Sequence, residues 1–292
     1  MRMLKNKTAE DIIMDSVIYL ILALLAIVTF YPMWYVVVAS FSSSSYIAGH
    51  EILLWPGDFN LEAYRLCFKH PLLLNSFGNS LKVLGLALPL NIVLTVMAGY
   101  FMAETTKARF KKPIIYMILF TMFFNGGLIP NYLNIKDLGL FNTIWSLVLP
   151  GALSVYNANI CKTAMEGIPY SLHESAYIEG ANDMQVLFKI VLPLMKPTLA
   201  VLLLYYGVAH WNAWFNASIY IRDEALLPAQ NILRAVLLEN ATLADGAGDS
   251  YSAYAEAMQY AAIVIVTVPI VCVYPFLQKH FTKGAMIGAV KG

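Results

Sequence analysis

The chain consists of long apolar runs separated by short polar segments. A helix that crosses a membrane needs about 20 mostly apolar residues. The first run follows Arg2, Lys5 and Lys7 and carries no charge from Ser16 to Gly49. The apolar core of a signal peptide is only about 7–15 residues long, so this run predicts a retained helix. Six transmembrane helices are predicted in all, at residues 13–39, 83–103, 113–133, 143–161, 197–221 and 258–277.

Composition supports an all-α integral membrane protein. Hydrophobic residues make up 59% of the chain and charged residues 13%, against roughly 45–50% and about 25% in average soluble proteins. The net charge of +1 and the absence of a basic cluster argue against nucleic acid as a partner. Cys67, Cys161 and Cys272 lie far apart in the sequence, which excludes the short spacings of metal-binding and redox motifs.

The distribution of basic residues predicts the orientation. Cytoplasmic segments of membrane proteins are enriched in Lys and Arg. With a cytoplasmic N-terminus, 13 of the 19 Lys and Arg residues fall inside. Both termini are therefore expected in the cytoplasm, and the chain is expected to cross the membrane several times. Two outer segments are then expected, at residues 41–75 and 222–257. The second segment is rich in Asp and Glu. It is expected to be either a solvated loop or a platform for an extracytoplasmic binding protein.

Two interruptions within the apolar runs predict broken helices. Residues 125–130 read Asn-Gly-Gly-Leu-Ile-Pro, and Pro130 would remove a helix hydrogen bond. Pro150 and Gly151 interrupt the fourth run in the same way. Irregular backbone at membrane depth is tolerated only where protein or water covers it, so both breaks indicate a cavity or a close helix contact.

The polar segment between the fourth and fifth runs predicts a helical hairpin. Ser171 and Glu174 have the spacing of a capping box at the start of a helix. Gly180 stands where a left-handed C-cap is needed. Asn182 can cap a second helix, with Gln185 in the reach-back position. Helix, glycine turn and helix are expected in this order, on the cytoplasmic side.

Polar and aromatic side chains crowd the fifth run, where polar groups usually face the interior of a helix bundle or a water-filled cavity. Aromatic faces suit the CH surfaces of sugars, and amides suit their hydroxyl groups. In one continuous helix, Trp211 would share a face with Trp214, and Asn212 with Asn216. An interfacial aromatic belt remains an alternative for Trp214, as does simple packing for His210. The candidate substrate pathway comprises Tyr205, Tyr206, His210, Trp211, Asn212, Trp214, Asn216, Asn125 and Asn131.

A spaced motif in the hairpin carries a family resemblance. Glu174-Ser175-Ala176 is followed by Gly180, nine further residues and Ile190-Val191-Leu192-Pro193. This spacing resembles the EAA loop of ABC-importer permeases, with Ser175 in place of the first alanine. The resemblance implies a type I importer permease fold with six transmembrane helices and residues 166–194 as the cytoplasmic coupling loop. It assigns contact with an ATPase to Glu174, Ser175, Ala176, Glu179 and Gly180.

Two further segments resemble the MalG-like group of carbohydrate-importer permeases. They are the tail at residues 278–292 and the stretch at residues 124–133, which is similar to the branch for oligosaccharides and fragments of alginate or pectin type. The resemblance implies half of a heterodimeric pore for a carbohydrate, expected to be an oligosaccharide, in a bacterial inner membrane. Its partners would be a second homologous permease subunit, two cytoplasmic ABC ATPases, an extracytoplasmic solute-binding protein and the membrane lipid. The expected division is a cytoplasmic N-terminus at 1–12, a permease domain at 13–277 and a cytoplasmic tail at 278–292.

No P-loop sequence occurs in the chain. The chain is therefore not expected to be an enzyme or to bind a cofactor. ATP and Mg are expected to bind to the partner subunits. An ion-coupled secondary transporter is an alternative, but that class shows intramembrane charges or internal repeats. A non-transporting scaffold would leave the spaced hairpin unexplained, and a membrane enzyme would need paired carboxylates or a nucleophile with its base. The sequence leaves the identity of the sugar open.

Overall fold

A computed structural model of the chain describes residues 9–49, 54–69, 72–103, 110–244, 256–273 and 275. These residues form helices joined by turns and short extended segments. They fall into two compact units, Met1–His70 with Ala235–Val266, and Pro71–Arg234 with Thr267–Gly292. The predicted tail at 278–292 and most of the predicted N-terminal segment lie outside the described residues.

The first unit begins with a long apolar helix. Helix α1 spans Ala9–Ser40 and is followed by α2 at Ser44–Ala48 and α3 at Glu62–Lys69. The apolar side chains along the membrane-length part of α1 are exposed to the surroundings of the chain. Tyr64 of α3 hydrogen-bonds to Ser40 through their hydroxyl groups at 2.7 Å, which fastens α3 to the end of α1.

The second unit carries the elements of the predicted pore and hairpin. Its helices up to the hairpin are α4 Leu73–Met102, α5 Lys111–Phe123, α6 Leu128–Asp137, α7 Trp145–Val148 and α8 Val155–Glu166. The hairpin and the segment after it contain α9 Tyr170–Ile178, α10 Asp183–Val186, α11 Leu192–Leu194, α12 Lys196–Asn212 and α13 Phe215–Tyr220. Two later helices, α14 Ala229–Ala244 and α15 Glu256–Val273, pass from one unit to the other along the chain.

Among the described residues, three helices are long and apolar enough to cross a membrane, and bent pairs raise the number to five. The three lie at Asp11–Ser40, Leu73–Met102 and Glu256–Val273. One bent pair is α5 with α6, at an angle of 115°; the other is Asp183–Leu194 with α12, at 81°. The fourth predicted run, at 143–161, is divided between α7 and α8. The turn between them contains Pro150 and Gly151, as the sequence predicts.

The break between α5 and α6 lies where the Asn-Gly-Gly sequence predicts it. Gly127 has φ +90° and begins α6. Its N–H donates to Asn125 Oδ1 at 2.9 Å, which replaces a helical hydrogen bond. The predicted role of Pro130 was wrong, because Pro130 stands in the first turn of α6, where an N–H has no helical partner in any case.

The prediction of one helix through residues 197–221 was also wrong. Helix α12 ends at Asn212, and Ala213 is extended before α13 begins at Phe215. The carbonyl of Trp214 accepts a hydrogen bond from Asn231 Nδ2 at 3.0 Å. A partner 17 residues away thus helps to hold the break, and no glycine or proline in the sequence marks it.

Helix α4 starts at Leu73, earlier than predicted, and polar groups in its first turns hydrogen-bond to a later segment. Asn75 and Asn79 donate to the carbonyl of Ala225 at 2.5 and 2.7 Å, and Ser80 accepts from the N–H of Ala229 at 2.9 Å. Further along α4, Gly99 lies against α8, where an added Cβ would come 2.9 Å from Cys161 Cβ. Helices α4 and α8 therefore pack in close contact at the centre of this unit.

Candidate coupling hairpin and pore-lining site

The first helix of the hairpin begins at Tyr170, and its N-cap residue is Pro169. No side-chain hydrogen bond caps this end. The predicted capping box of Ser171 and Glu174 was therefore wrong, because Ser171 already lies inside the first turn. Proline has a fixed φ that suits the entry to a helix, which moves the start two residues towards the N-terminus. Glu174 is left exposed on the surface of α9.

The glycine turn is confirmed. Gly180 has φ +85°, a left-handed conformation that L-residues with a side chain rarely adopt. Its N–H donates to the carbonyl of Tyr177 at 3.0 Å, and the N–H of Ala181 donates to that of Ala176 at 2.9 Å. This pair of bonds is the Schellman motif, which satisfies carbonyls at the end of α9.

The second cap is confirmed as well. The N–H of Gln185 donates to Asn182 Oδ1 at 2.9 Å, and Gln185 Oε1 accepts from the N–H of Asn182 at 3.0 Å. The hydroxyl of Tyr177 donates to Asp183 Oδ1 at 2.7 Å, which ties α9 to α10. Partial burial and this hydrogen bond raise the pKa of Tyr177 above its ordinary value. The hairpin is thus closed by a turn, a capping box and one cross-link.

Two faces of α9 differ in their surroundings. Glu174, Ser175, Glu179 and Gly180 are exposed, and Ile178 is 86% exposed. We call these five residues the outer face of the hairpin. Ile178 is thus a large apolar side chain that stands exposed beside the carboxylates of Glu174 and Glu179.

The opposite face packs into the chain. Ala176 is buried in a core cluster with Met165 of α8 and Val186 of α10. His173, three positions earlier on the same face, is 1% exposed, and its ring stacks on Tyr170 at 6.1 Å between centroids. Sequence reasoning missed His173, although its spacing from Ala176 is that of a shared helix face.

A wide turn connects the hairpin to the predicted pathway. Residues Leu187–Val191 form one π-helical turn, followed by the short helix α11. Val191 and Met195 are buried on either side of α11 and anchor it to the core cluster. Helix α12 then leaves at 81° to the segment before it. The hairpin is therefore continuous with α12 through packed residues.

One cavity lies beside α12 and α13, and a second lies beside α6 and α13. Four predicted pathway residues, Tyr205, Tyr206, His210 and Asn216, line the first, which has a volume of about 280 Å³. The second has a volume of about 640 Å³, and its amides are Asn125, Asn131, Asn134 and Asn216. Gly151 and Asn216 line both cavities, so the two adjoin at this point.

The broken backbone beside the cavities is held by Asn91, which the sequence did not single out. Its amide nitrogen donates to the carbonyls of Gly151 and Ala152 at 2.9 Å each. Its oxygen lies 3.0 Å from His210 Nε2. Because an amide oxygen can only accept a hydrogen bond, Nε2 of His210 carries the proton and donates it. Exposed carbonyls at membrane depth are costly, and Asn91 satisfies two of them.

Tyr206 holds the same region from the other side. Its hydroxyl lies 2.7 Å from Thr95 Oγ1 of α4 and accepts from the N–H of Ser154 at 3.0 Å. Ser154 in turn caps α8. Tyr206 therefore joins α4, α12 and the start of α8, and is 4% exposed at the edge of the first cavity.

Three predicted pathway residues line neither cavity. Trp211 is 6% exposed and packs on Phe77 at 6.0 Å between ring centroids. Asn212 Oδ1 lies 3.4 Å from Gln230 Nε2. Trp214 lies beneath the guanidinium of Arg234, at 3.8 Å. Because the helix breaks after Asn212, the expected shared faces of Trp211 with Trp214 and of Asn212 with Asn216 do not form.

Comparisons with known proteins agree with one another. Residues 84–286 match the model of the family described as binding-protein-dependent transport system inner membrane component. The chain is 35% identical over 281 residues to the polygalacturonan/rhamnogalacturonan transport system permease protein YtcP of Bacillus subtilis, covering 95% of the chain and 98% of that protein. It is 38% identical over 267 residues to protein LplC of the same organism, covering 91% and 90%.

A solved structure is similar as well. It is described as a bacterial ABC transporter involved in the import of the acidic polysaccharide alginate. The matched chain is 28% identical, with a TM-score of 0.84, and the match covers 94% of this chain and 99% of that one. Likeness in sequence and in fold therefore extends over almost the whole chain.

Proposed function

The chain belongs to the family of binding-protein-dependent transport system inner membrane components, and from this premise we propose that its two adjoining cavities form part of the path of an oligosaccharide. It is a multi-pass permease subunit of an ABC importer and serves as a pore subunit, while separate ATPase partners hydrolyse ATP. The family membership excludes the alternatives of a secondary transporter, a scaffold and a membrane enzyme.

The observation that carries the proposal is the amide lining of the two cavities. Asn125, Asn131, Asn134 and Asn216 surround the second cavity, and Asn216 reaches the first as well. An amide offers both donors and an acceptor, which suits the hydroxyl groups of a sugar at any ring position. Polar side chains are costly in a membrane unless they serve a cavity or a partner. The relatives that carry named oligosaccharides or polysaccharides support the same substrate class.

The outer face of the hairpin is the proposed contact with one ATPase. Glu174, Ser175, Glu179 and the exposed Ile178 would make that contact, while Gly180 sets the turn. Ala176 would act from within, since its burial against α8 and α10 keeps the hairpin in place. In this arrangement ATP and Mg are bound by the partner ATPases, and this chain holds neither.

The remaining assembly belongs to the same proposal. A second homologous permease would complete the pore, and an extracytoplasmic solute-binding protein would deliver the oligosaccharide. Both termini would lie in the cytoplasm, which the distribution of Lys and Arg supports. The hairpin then faces the ATPases, and residues 222–234 lie on the extracytoplasmic side.

Replacement of Asn216 by alanine tests the pathway. We expect N216A to lower the uptake of oligosaccharide by the reconstituted importer about threefold to tenfold, because one hydrogen bond contributes about 0.5–1.5 kcal/mol. Uptake of labelled oligogalacturonide and of a neutral oligosaccharide would be measured at several concentrations, and the loss should appear chiefly in KM.

The matched control is N159A. Asn159 is half-buried on α8, bonds only its own helix at the carbonyl of Val155 among the described residues, and lines neither cavity. It should leave uptake unchanged at equal permease level. Unaltered kinetics in N216A, or equal losses in both variants, would refute the proposed path.

A further inference from the structure

Four residues outside the cavities form a polar patch where α12 ends and α14 begins. They are Asn212, Trp214, Gln230 and Arg234, which we call the Arg234 patch. The guanidinium carbon of Arg234 lies 3.8 Å from the centroid of the Trp214 ring. At this distance the guanidinium lies against the face of the ring, and the cation–π attraction restrains it there. The side chain of Arg234 is nevertheless exposed.

The positive charge of Arg234 has no carboxylate partner among the described residues. Arg65 pairs with Glu62 and Lys162 pairs with Glu166, so neither of these two ion pairs involves Arg234. A guanidinium stacked by its face still offers the N–H groups along its edge, and that edge matches a carboxylate bidentately. Arg234 is thus a restrained cation with its hydrogen-bonding edge available.

The aromatic support of Arg234 is itself fixed. The carbonyl of Trp214 accepts from Asn231 Nδ2 at 3.0 Å and from Ser218 Oγ at 3.0 Å. Asn231 also donates to Ser218 Oγ at 2.9 Å. The Trp214 ring meets Phe215 edge to face, with centroids 5.6 Å apart. A fixed support lowers the entropy that Arg234 would lose on binding a ligand.

Two amides complete the patch. Gln230 stands four residues before Arg234 on α14, so the two side chains share a helix face. Gln230 Nε2 lies 3.4 Å from Asn212 Oδ1, a long contact that leaves hydrogen-bonding capacity on both amides. A cation edge and two amides side by side combine the groups that would recognise a carboxylate and the hydroxyls of one sugar ring.

We propose that the Arg234 patch binds a uronosyl residue of an acidic oligosaccharide, with Arg234 on its carboxylate and Asn212 and Gln230 on its hydroxyls. This assignment rests on the proposed function and narrows its substrate class to uronate-containing oligomers. Trp214 supports the guanidinium instead of stacking on the sugar. The patch lies outside the cavities and receives the acidic oligomer before it enters them.

Arg222 provides a matched comparison within the same unit. It is also an exposed arginine beside an aromatic ring, with its guanidinium carbon 5.8 Å from the centroid of Phe141. The distance is too long for close stacking, and Asp223 and Glu224 come directly after it in the sequence. Arg222 therefore has acids of its own nearby, and its replacement controls for a general loss of positive charge.

The test compares one oligomer in two charge states. The reconstituted importer with its binding protein would be given an oligogalacturonide and its carboxyl-reduced, neutral counterpart, and initial uptake would be measured for wild type, R234Q, R234K and R222Q. We expect R234Q to lower uptake of the acidic oligomer about tenfold and to leave the neutral one unchanged, since a charged hydrogen bond is lost. R234K should fall between, because lysine keeps the charge without the fork.

The outcomes separate this inference from the proposed function. Equal losses for both oligomers in R234Q, or a loss in R222Q as selective as that in R234Q, would overturn the inference and leave oligosaccharide import standing. A wild-type importer that takes up neither oligomer, nor any other oligosaccharide, would overturn the proposed function itself. Retention of the neutral oligomer's uptake in R234K and R234Q shows that the variant complexes are assembled.

Discussion

At the scale of single residues, Gly180 has the clearest requirement. Its φ of +85° closes the hairpin, and no atom lies within 4 Å of where a Cβ would be built. A substitution there is therefore opposed by backbone strain alone, which amounts to about 1–2 kcal/mol for an L-residue in the left-handed region. Asparagine adopts this region far more readily than a β-branched residue does.

We accordingly expect Gly180→Val to reduce the oligosaccharide taken up per ATP hydrolysed, and Gly180→Asn to retain most of it. Both variants have the same space available, so they differ only in the conformation that each side chain tolerates. The measurement is uptake and ATP hydrolysis in the same reconstituted importer, at matched permease level. Normal coupling in Gly180→Val would show that the left-handed turn is dispensable.

Cys67 gives a prediction about reactivity. Its side chain is 4% exposed and lies 3.6 Å from the carbonyl of Met258. Burial raises the pKa of the Cys67 thiol from 9.0 to about 11. The reactive thiolate is then roughly one part in a thousand at pH 8, and it increases as the pH rises towards 11.

Native protein treated with a maleimide at pH 8 should therefore leave Cys67 largely unmodified, and prior denaturation should expose it to full reaction. Mass spectrometry of the peptide that contains Cys67 distinguishes the two states without any substitution. Rapid, complete modification in the native importer would contradict the buried position.

At the scale of helices, α4 and α8 are in close contact at Gly99. The Cβ of an alanine at position 99 would lie 2.9 Å from both Cβ and Sγ of Cys161. Gly85, on the same helix, has no atom within 4 Å of such a Cβ. Replacement of each glycine by alanine therefore makes the same chemical change, at a packed position in Gly99 and at an open position in Gly85.

Gly99→Ala should destabilise the permease by about 1–3 kcal/mol, the usual cost of overfilling a packed contact. Gly85→Ala should be neutral or slightly stabilising, because alanine favours the helix. Thermal unfolding of the purified importer would be followed for both variants. Equal melting temperatures would mean that α4 and α8 do not pack closely at Gly99.

The helices also show which local features the sequence can specify. Gly180, Asn182 with Gln185, and the break at residues 125–127 were all predicted, because each depends on bonds within a few residues. Ser171 failed as a cap because Pro169 starts the helix first. The break after Asn212 could not be predicted, because its partner Asn231 comes from another helix.

At the scale of the whole molecule, the periodic apolar runs and the spaced motif were enough to predict the helical membrane class and the permease family. The candidate site was predicted only in part. Tyr206, His210 and Asn216 reach a cavity as expected, whereas Trp211 packs on Phe77. Asn91 bonds to His210 across 119 residues of sequence, and a single sequence carries no signal for such a pairing.

The bend of 81° between Asp183–Leu194 and α12 has a mechanical consequence. The two arms lie nearly at right angles, and the corner between them is packed into the core cluster by Val191 and Met195. With the corner held by packing, we expect a displacement of the first arm along its own length to move the near end of α12 sideways and to tilt this helix about the corner. A movement of a few ångströms at the hairpin would then tilt the part of α12 that carries Tyr206 and His210. The tilt would change the width of the first cavity, which these two residues line, without breaking a helix.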